Sequence, residues 1–215
     1  MSVSLVCLPV GQLQANCYLL GCEATREGAV VDPGGDADLI LGAVRHAGLH
    51  IAHILCTHGH PDHTLAAREV RDALAAAQGD RPRVAIHEGD RQMLQEPALY
   101  WLLAGLKPQP CEVDDALTDG ATIQVGELSV AVMGLPGHSP GCAAFVVDEN
   151  ALTGDVLFSG SIGRTDLPGG DMEQMLQSLR RLARELPPQT AIHPGHGPSS
   201  TMARELAGND WLQDI

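Results

Sequence analysis

Basic side chains are scarce in this chain: 13 Lys and Arg stand against 27 Asp and Glu, a formal charge of -14 with a pI near 4.9. No Lys/Arg cluster offsets that field, so the surface repels phosphate backbones and nucleic acid is excluded as a partner. Paired cysteine motifs are absent too. The six cysteines (Cys7, Cys17, Cys22, Cys56, Cys111 and Cys142) include no CxxC, which predicts reduced core residues and not a disulfide framework. A membrane span is missing. The apolar start MSVSLVCLPVGQLQANCYLL is interrupted by Gly, Pro and Asn and has neither a basic leader nor a small-residue cleavage pattern. These absences predict a mature cytoplasmic protein with no membrane partner. Low-complexity linkers and breaks in composition are also lacking. With 44% apolar and 19% charged residues, that predicts one compact α/β domain over residues 1–215.

What the chain does have is short β-rich runs alternating with helical ones. Strands are expected at VSLVCLP, NCYLLGC, GAVVDPG, AHILCTH, RVAIHE, ATIQV, LSVAVMG, AAFVVDE, ALTGDVLF and TAIHPG, each apolar or β-branched and bounded by Gly, Pro or Asp. Gly126-Glu127 and Asp148-Glu149-Asn150 join neighbouring runs as hairpin turns. Helices are expected over 36–48, 63–79 and 171–188, with Gly or Pro stops, and two more over 90–106 and 200–212. Hairpins interspersed with helices predict an α/β sandwich, with helices layered outside mixed sheets.

THGHPDHT, from Thr57 to Thr64, packs three histidines and an aspartate into six positions. A cluster this dense points to a metal ion. The apolar run AHILC ends at Thr57, so the histidines sit on a strand-end loop. His58 and His60 project to one side, and the Pro61 turn carries Asp62 and His63 toward a neighbouring point. Other strand ends supply His138 in GLPGHSPG, Asp155 after TG and His196 in HPGHGP. The count then suits two divalent metals. His58, His60 and His138 form one set, Asp62, His63 and His196 a second, and Asp155 offers an oxygen to each. Open positions and the absence of Cys ligands mark a catalytic centre. A water bridging the two ions would ionise near neutral pH and become the nucleophile, with Asp62 able to accept or relay its proton. Imidazole and carboxylate suit zinc first, with iron or manganese also compatible.

Taken together, THGHPDH, GHSPG, TGD and PGHG resemble the metallo-β-lactamase superfamily, whose fold is an αβ/βα sandwich with metals at one edge. VVDPGGDAD, GSIGRTDLPGGD and HPGHGPSST are similar to the glyoxalase II (hydroxyacylglutathione hydrolase) branch, and to its short bacterial type, over nearly the whole chain. That resemblance implies hydrolysis of a glutathione thioester, with S-D-lactoylglutathione as reference substrate. It also implies Arg164 as the contact to a substrate carboxylate, by two parallel hydrogen bonds. The chain departs from the branch in two ways: Asp166 stands where glyoxalase II has a tyrosine, and the C-terminal helical domain is not expected. GRTD also resembles the persulfide dioxygenases of the superfamily. This implies the alternative of a single iron at His58, His138 and Asp155, oxidising glutathione persulfide. A catalytically idle metal-binding module is the third reading.

The remaining motifs have plainer expectations. His46, His50 and His53 read as structural, His87 as a surface residue or a support for the site, and His193 as packing or hydrogen-bonding beside it. Tyr100 and Trp101 predict a core-facing stripe, with a lid over the site, touching substrate through Tyr100 or Lys107, as the other reading. In DPGGDAD, Asp36 is expected to cap a helix and the stretch to do no chemistry.

Overall fold

The computed structural model describes residues 2–97 and 105–213. Two six-stranded sheets lie at its centre. In the first, β1 (Val3–Val10), β2 (Ala15–Cys22), β3 (Glu27–Val31), β4 (His50–Cys56), β5 (Arg83–His87) and β6 (Asp115–Leu117) follow one another edge to edge. Pairing is antiparallel from β1 to β3 and parallel from β3 to β6. The second sheet contains β7 (Thr122–Val125), β8 (Leu128–Gly134), β9 (Ala143–Val147), β10 (Asn150–Gly154), β13 (Ala191–Pro194) and β14 (Ser200–Thr201) in that spatial order. Between β10 and β13 the chain forms the small pair β11 (Leu157–Phe158) and β12 (Ser161–Ile162). Helices are α1 (Ala37–Ala47), α2 (Pro61–Thr64), α3 (Ala67–Gln78), α4 (Arg91–Gln95), α5 (Met172–Glu185) and α6 (Met202–Gly208).

Strand alternation divides the apolar side chains among three cores. Along β2, Cys17 and Leu19 face a cluster with Ile40 and Val44 of α1 and Val70 and Leu74 of α3. Tyr18 and Leu20 point the other way, into the space between the sheets with Val130, Val132 and Phe145. On the far side, Ala144, Ala151 and Ile192 pack against Met175, Leu179 and Leu182 of α5 and Met202 of α6. Helix, sheet, sheet, helix: this is the four-layer αβ/βα sandwich. Both hairpin turns form, and Gly126 takes the positive φ (59°) that a two-residue turn requires.

Several element boundaries differ from the sequence expectation, each for a local reason. The helix expected from His63 begins at Pro61, a favoured first helical residue, and breaks after Thr64 where Ala66 N–H bonds the Pro33 carbonyl. Asp62 and His63 therefore ride on a helical turn, not a loop. ALTGDVLF is two strands, because Gly154 turns at φ 50° and leaves Asp155 between them. The helix expected over 90–106 is interrupted after Gln95, because Glu96 precedes Pro97, which disfavours helical backbone at that position; residues 98–104 lie outside the described residues. The Tyr100-Trp101 stripe lies outside the described residues. Over 200–212 the chain forms β14, α6 and a 3₁₀ turn at Asp210–Leu212. Asp36 occupies the N-cap position of α1 without capping it: its backbone is left-handed, and its Oδ2 accepts from Gly11 N–H at 2.9 Å.

Candidate metal centre

Four segments meet at one rim. The first runs from the end of β4 through α2 and carries His58, His60, Asp62 and His63, and the others follow β8 (His138), β10 (Asp155) and β13 (His196). All seven side chains converge. His60 Nδ1 stands 2.7 Å from His138 Nε2, and His196 Nε2 stands 3.2 Å from Asp62 Oδ2 and 3.3 Å from His63 Nε2. Asp155 reaches both sides, with Oδ1 3.4 Å from His63 Nε2 and Oδ2 3.7 Å from both His138 Nε2 and His196 Nε2. Donor atoms fall within 4.8 Å of one another in the groups His58/His60/His138, His58/His63/Asp155 and Asp62/His63/His196.

The chemistry of these atoms fits divalent ions. His58 Nε2 and Asp155 Oδ1 are buried with no hydrogen-bond partner among the described residues. A buried polar atom left so costs about 1–3 kcal/mol, and inward-facing nitrogen and oxygen donors without sulfur are what a catalytic zinc, iron or manganese centre uses. Tautomers are set from behind. Thr57 Oγ1 donates to Asp32 at 2.6 Å, so it accepts from His58 Nδ1–H at 3.1 Å and leaves His58 Nε2 with its lone pair inward. His138 Nδ1–H donates to the Arg164 carbonyl at 2.7 Å, with the same result.

Electrostatics separate the two sets. Burial holds His58 well below its usual range, and burial together with His138 pushes His60 down to about 3, so both rings are neutral and ready to ligate. Burial also acts to lower His63, but Asp155, the hydrogen bond to Asp32 and Asp62 overcome it and push it up to about 10. His196 is raised, first by its hydrogen bond to Asp62. For Asp62, burial acts upward, and the His196 hydrogen bond with the His63 charge outweighs it, holding the carboxyl below the usual range. A ligand must be deprotonated, so loading the second set displaces a proton at any pH below about 10, whereas His58 and His60 release none. Titrating the metal-free chain with zinc at pH 7 in weak buffer is expected to release at least one proton with the second equivalent and little with the first. Equal release from both would contradict this ordering.

Two buried carboxylates support the centre, and neither was anticipated. Asp32 follows β3 and is 1% exposed; it accepts from Thr57 N–H at 2.7 Å and from His63 Nδ1–H at 3.0 Å. DPGG therefore does take part in the site. The signal was available, since β3 and β4 are parallel neighbours and an aspartate just past one end abuts the loop past the other. Asp90, fully buried, accepts from Gly59 N–H (2.9 Å), Ser139 Oγ–H (2.5 Å) and Gly141 N–H (2.7 Å), tying the His58–His60 loop to the His138 loop. No motif marks it. Asn16 and Tyr18 of β2 likewise donate to the Pro194 carbonyl beside His196. Close approach is made possible by glycine: a Cβ on Gly34 would sit 1.6 Å from the Asp62 carbonyl, and one on Gly195 2.2 Å from Asp155 Oδ1. His87 Nδ1 accepts from Gly89 N–H, while His193 bonds Ser199 and Asn150.

The family model for the metallo-beta-lactamase superfamily matches residues 10–200. The chain belongs to that superfamily. Its members are mostly hydrolases. Among curated relatives, it is 34% identical over 209 residues to the Bacillus subtilis protein named "Probable metallo-hydrolase YqgX", covering 95% of each chain. It is 32% identical over 213 residues to the Haemophilus influenzae "Hydroxyacylglutathione hydrolase GloC", covering 95% of this chain and 96% of that one. Similar solved structures include BLEG-1 B3 metallo-beta-lactamase, at 34% identity with a TM-score of 0.88 and 97% and 99% coverage. TTHA1623 in a di-iron-bound form follows at 35% and 0.83, covering 96% of this chain and 100% of that one. ETHE1 from Myxococcus xanthus stands at 25% and 0.75, with 98% and 84% coverage. The superfamily fold and the His/Asp cluster point to divalent metal, and the di-iron neighbour keeps zinc from being assumed.

A cavity of about 660 Å³ opens over the cluster, lined by His60, Asp62, His138, Asp155 and His196 and walled by Leu13, Phe158, Ile162 and Leu167. Arg164 stands at its edge, its guanidinium forked onto Asp166 by hydrogen bonds of 2.6 and 2.7 Å. Among the described residues, no helix is long and apolar enough to cross a membrane.

Proposed function

We propose that this chain is a metal-dependent hydrolase of acyl-glutathione thioesters, with S-D-lactoylglutathione as the first substrate to test. The observation that carries the reading is the Asp155 carboxylate, which reaches members of both donor sets, with Oδ1 by His63 and Oδ2 between His138 and His196. His58, His60 and His138 would hold one ion, Asp62, His63 and His196 the other, and Asp155 would join them. Bound there, divalent ions supply an acidified water and polarise a carbonyl oxygen. Asp62 is held in its carboxylate form by His196 and His63, which suits it to ligation, and its oxygens are placed to orient the attacking water. The likeness to the Haemophilus hydroxyacylglutathione hydrolase supports the thioester class.

Arg164 is assigned to a carboxylate of the thiol arm. Its guanidinium already grips one carboxylate, Asp166, at the cavity edge, in the forked geometry that a substrate carboxylate would take up in exchange. Truncation should leave His138 in place, because the Arg164 backbone carbonyl and not its side chain accepts from His138. Arg164→Ala is therefore expected to raise KM for the glutathione thioester about tenfold with kcat within about threefold. An unchanged KM would remove Arg164 from the substrate site.

The resemblance of GRTD to persulfide dioxygenases supplies the competing reading, a single iron at His58, His138 and Asp155 acting on glutathione persulfide with O₂, with which the likeness to ETHE1 is compatible. Protein with quantified metal is assayed for S-D-lactoylglutathione hydrolysis, for O₂ uptake with glutathione persulfide and for opening of a β-lactam. Thioester loss that scales with the second metal equivalent supports the proposal. Oxygen uptake at one iron per chain replaces it, and β-lactam turnover alone moves the chain toward the activity named for BLEG-1.

A further inference from the structure

A thioester carbonyl has two arms, which leave its planar carbon about 120° apart. With the carbonyl at the metal cluster and the thiol arm directed to Arg164, the acyl arm must leave on the other side. A second cavity, which Arg164 does not line, adjoins the metal cavity. It measures about 480 Å³, is bounded by Val10–Leu13, Gly34–Asp36, Leu65 and residues 105–107, and shares Leu13 and Asp62 with the metal cavity. Its wall is specifically built: Gly11, Gly34 and Gly35 bring backbone together so closely that a Cβ on Gly35 would lie 2.7 Å from the Gly11 Cα. Asp36 gives up helix capping, and adopts φ 46°, to bond Gly11 N–H and hold the β1–β2 turn against that wall.

Size and charge define what this space suits. The cavity of about 480 Å³ is much larger than a lactoyl group needs, which extends only three non-hydrogen atoms beyond its carbonyl. Lys107, the single lysine of the chain, lies on the cavity rim, exposed and with no ion pair among the described residues. Asp36 lines the same space with one oxygen already engaged by Gly11. Lys107 is the one cation in a lining that also carries Asp36 and Asp62, so it is the group that would hold an anionic end of a ligand in this space. Resting on the thioester reading above, we propose that this cavity receives the acyl arm and that Lys107 selects acyl groups longer than lactoyl that end in a carboxylate.

The test compares glutaryl-glutathione with pentanoyl-glutathione, equal in acyl chain length and differing in the terminal carboxylate, on metal-loaded wild type, Lys107→Glu and Lys107→Arg. Wild type and Lys107→Arg are expected to favour the glutaryl thioester about tenfold in kcat/KM, and Lys107→Glu to lose or reverse that preference while lactoyl-glutathione changes less than twofold. Arg180→Glu, an exposed change of the same charge on α5, controls for the overall field and should leave the preference intact. No glutaryl preference in wild type, or equal loss in Lys107→Glu and Arg180→Glu, overturns the assignment. If no thioester is cleaved, the hydrolase reading fails separately, and the cavity is read by calorimetric titration with glutarate. Binding to wild type but not to Lys107→Glu supports the assignment; equal binding to both overturns it.

Discussion

Asp155→Ala is expected to lower kcat/KM for the thioester by about 10³-fold or more and to reduce the metal content from two ions per chain to one or fewer. Its carboxylate has one oxygen toward His63 and the other toward His138 and His196, so it is a donor that both sets share. Removing it takes away the donor that both sets share and leaves Asp62 as the one carboxylate among the remaining six donors to offset two dications. Loss of a single electrostatic contact to a transition state already costs about 10²–10³-fold, and here the arrangement that generates the nucleophile goes with it. Folding should survive, since Asp155 Oδ1 is buried with no hydrogen-bond partner among the described residues and alanine removes that unsatisfied atom. Elemental analysis alongside steady-state kinetics reads the result. Two ions per chain with activity within tenfold of wild type would sink the bridging role.

The second large effect is a contrast between the two buried carboxylates. Asp32→Asn should weaken the second metal set, which it touches directly at His63, by about 10–100-fold and the first less, since it reaches His58 only through Thr57, while Asp90→Asn should act mainly on the first. Asp32 grips His63 Nδ1–H, so its charge keeps Nε2 of that ring turned inward as a lone-pair donor. Asp90 touches no histidine; it holds Gly59, between His58 and His60, and Ser139, next to His138. An Asn there keeps one acceptor and presents an NH₂ to donors that now lack an acceptor, so stability should also fall by at least about 2 kcal/mol. Chelator competition resolves the two affinities, and thermal unfolding without metal gives the stability change. Equal weakening of both sets by either variant would show general loosening in place of selective positioning.

Much of the site was legible because ligand chemistry is dense and local. THGHPDH condenses four of the seven converging side chains into one segment, and a strand-end rule placed His138, Asp155 and His196 on the same rim. Asp32 is legible by the same rule, since it stands just past β3 as His58 stands just past β4. Asp90 was not legible: one aspartate after an ordinary strand becomes important only through a loop 49 residues away. Helix limits failed where backbone chemistry overrode periodicity, as at Glu96-Pro97 and at the Thr64–Ala66 break.

The sequence by itself determined the layered α/β class, the superfamily and the chemical character of the site. Strand alternation and metal-ligating side chains are properties of short segments, readable without knowing what packs against them. Only the tertiary structure decided which sheet meets which helix, which carboxylates stand behind the histidines, and that a second cavity with the lone lysine adjoins the first. Those features arise from groups far apart in the chain, brought within hydrogen-bond reach by burial of three cores, and no local pattern in 215 residues encodes a distance between two loops.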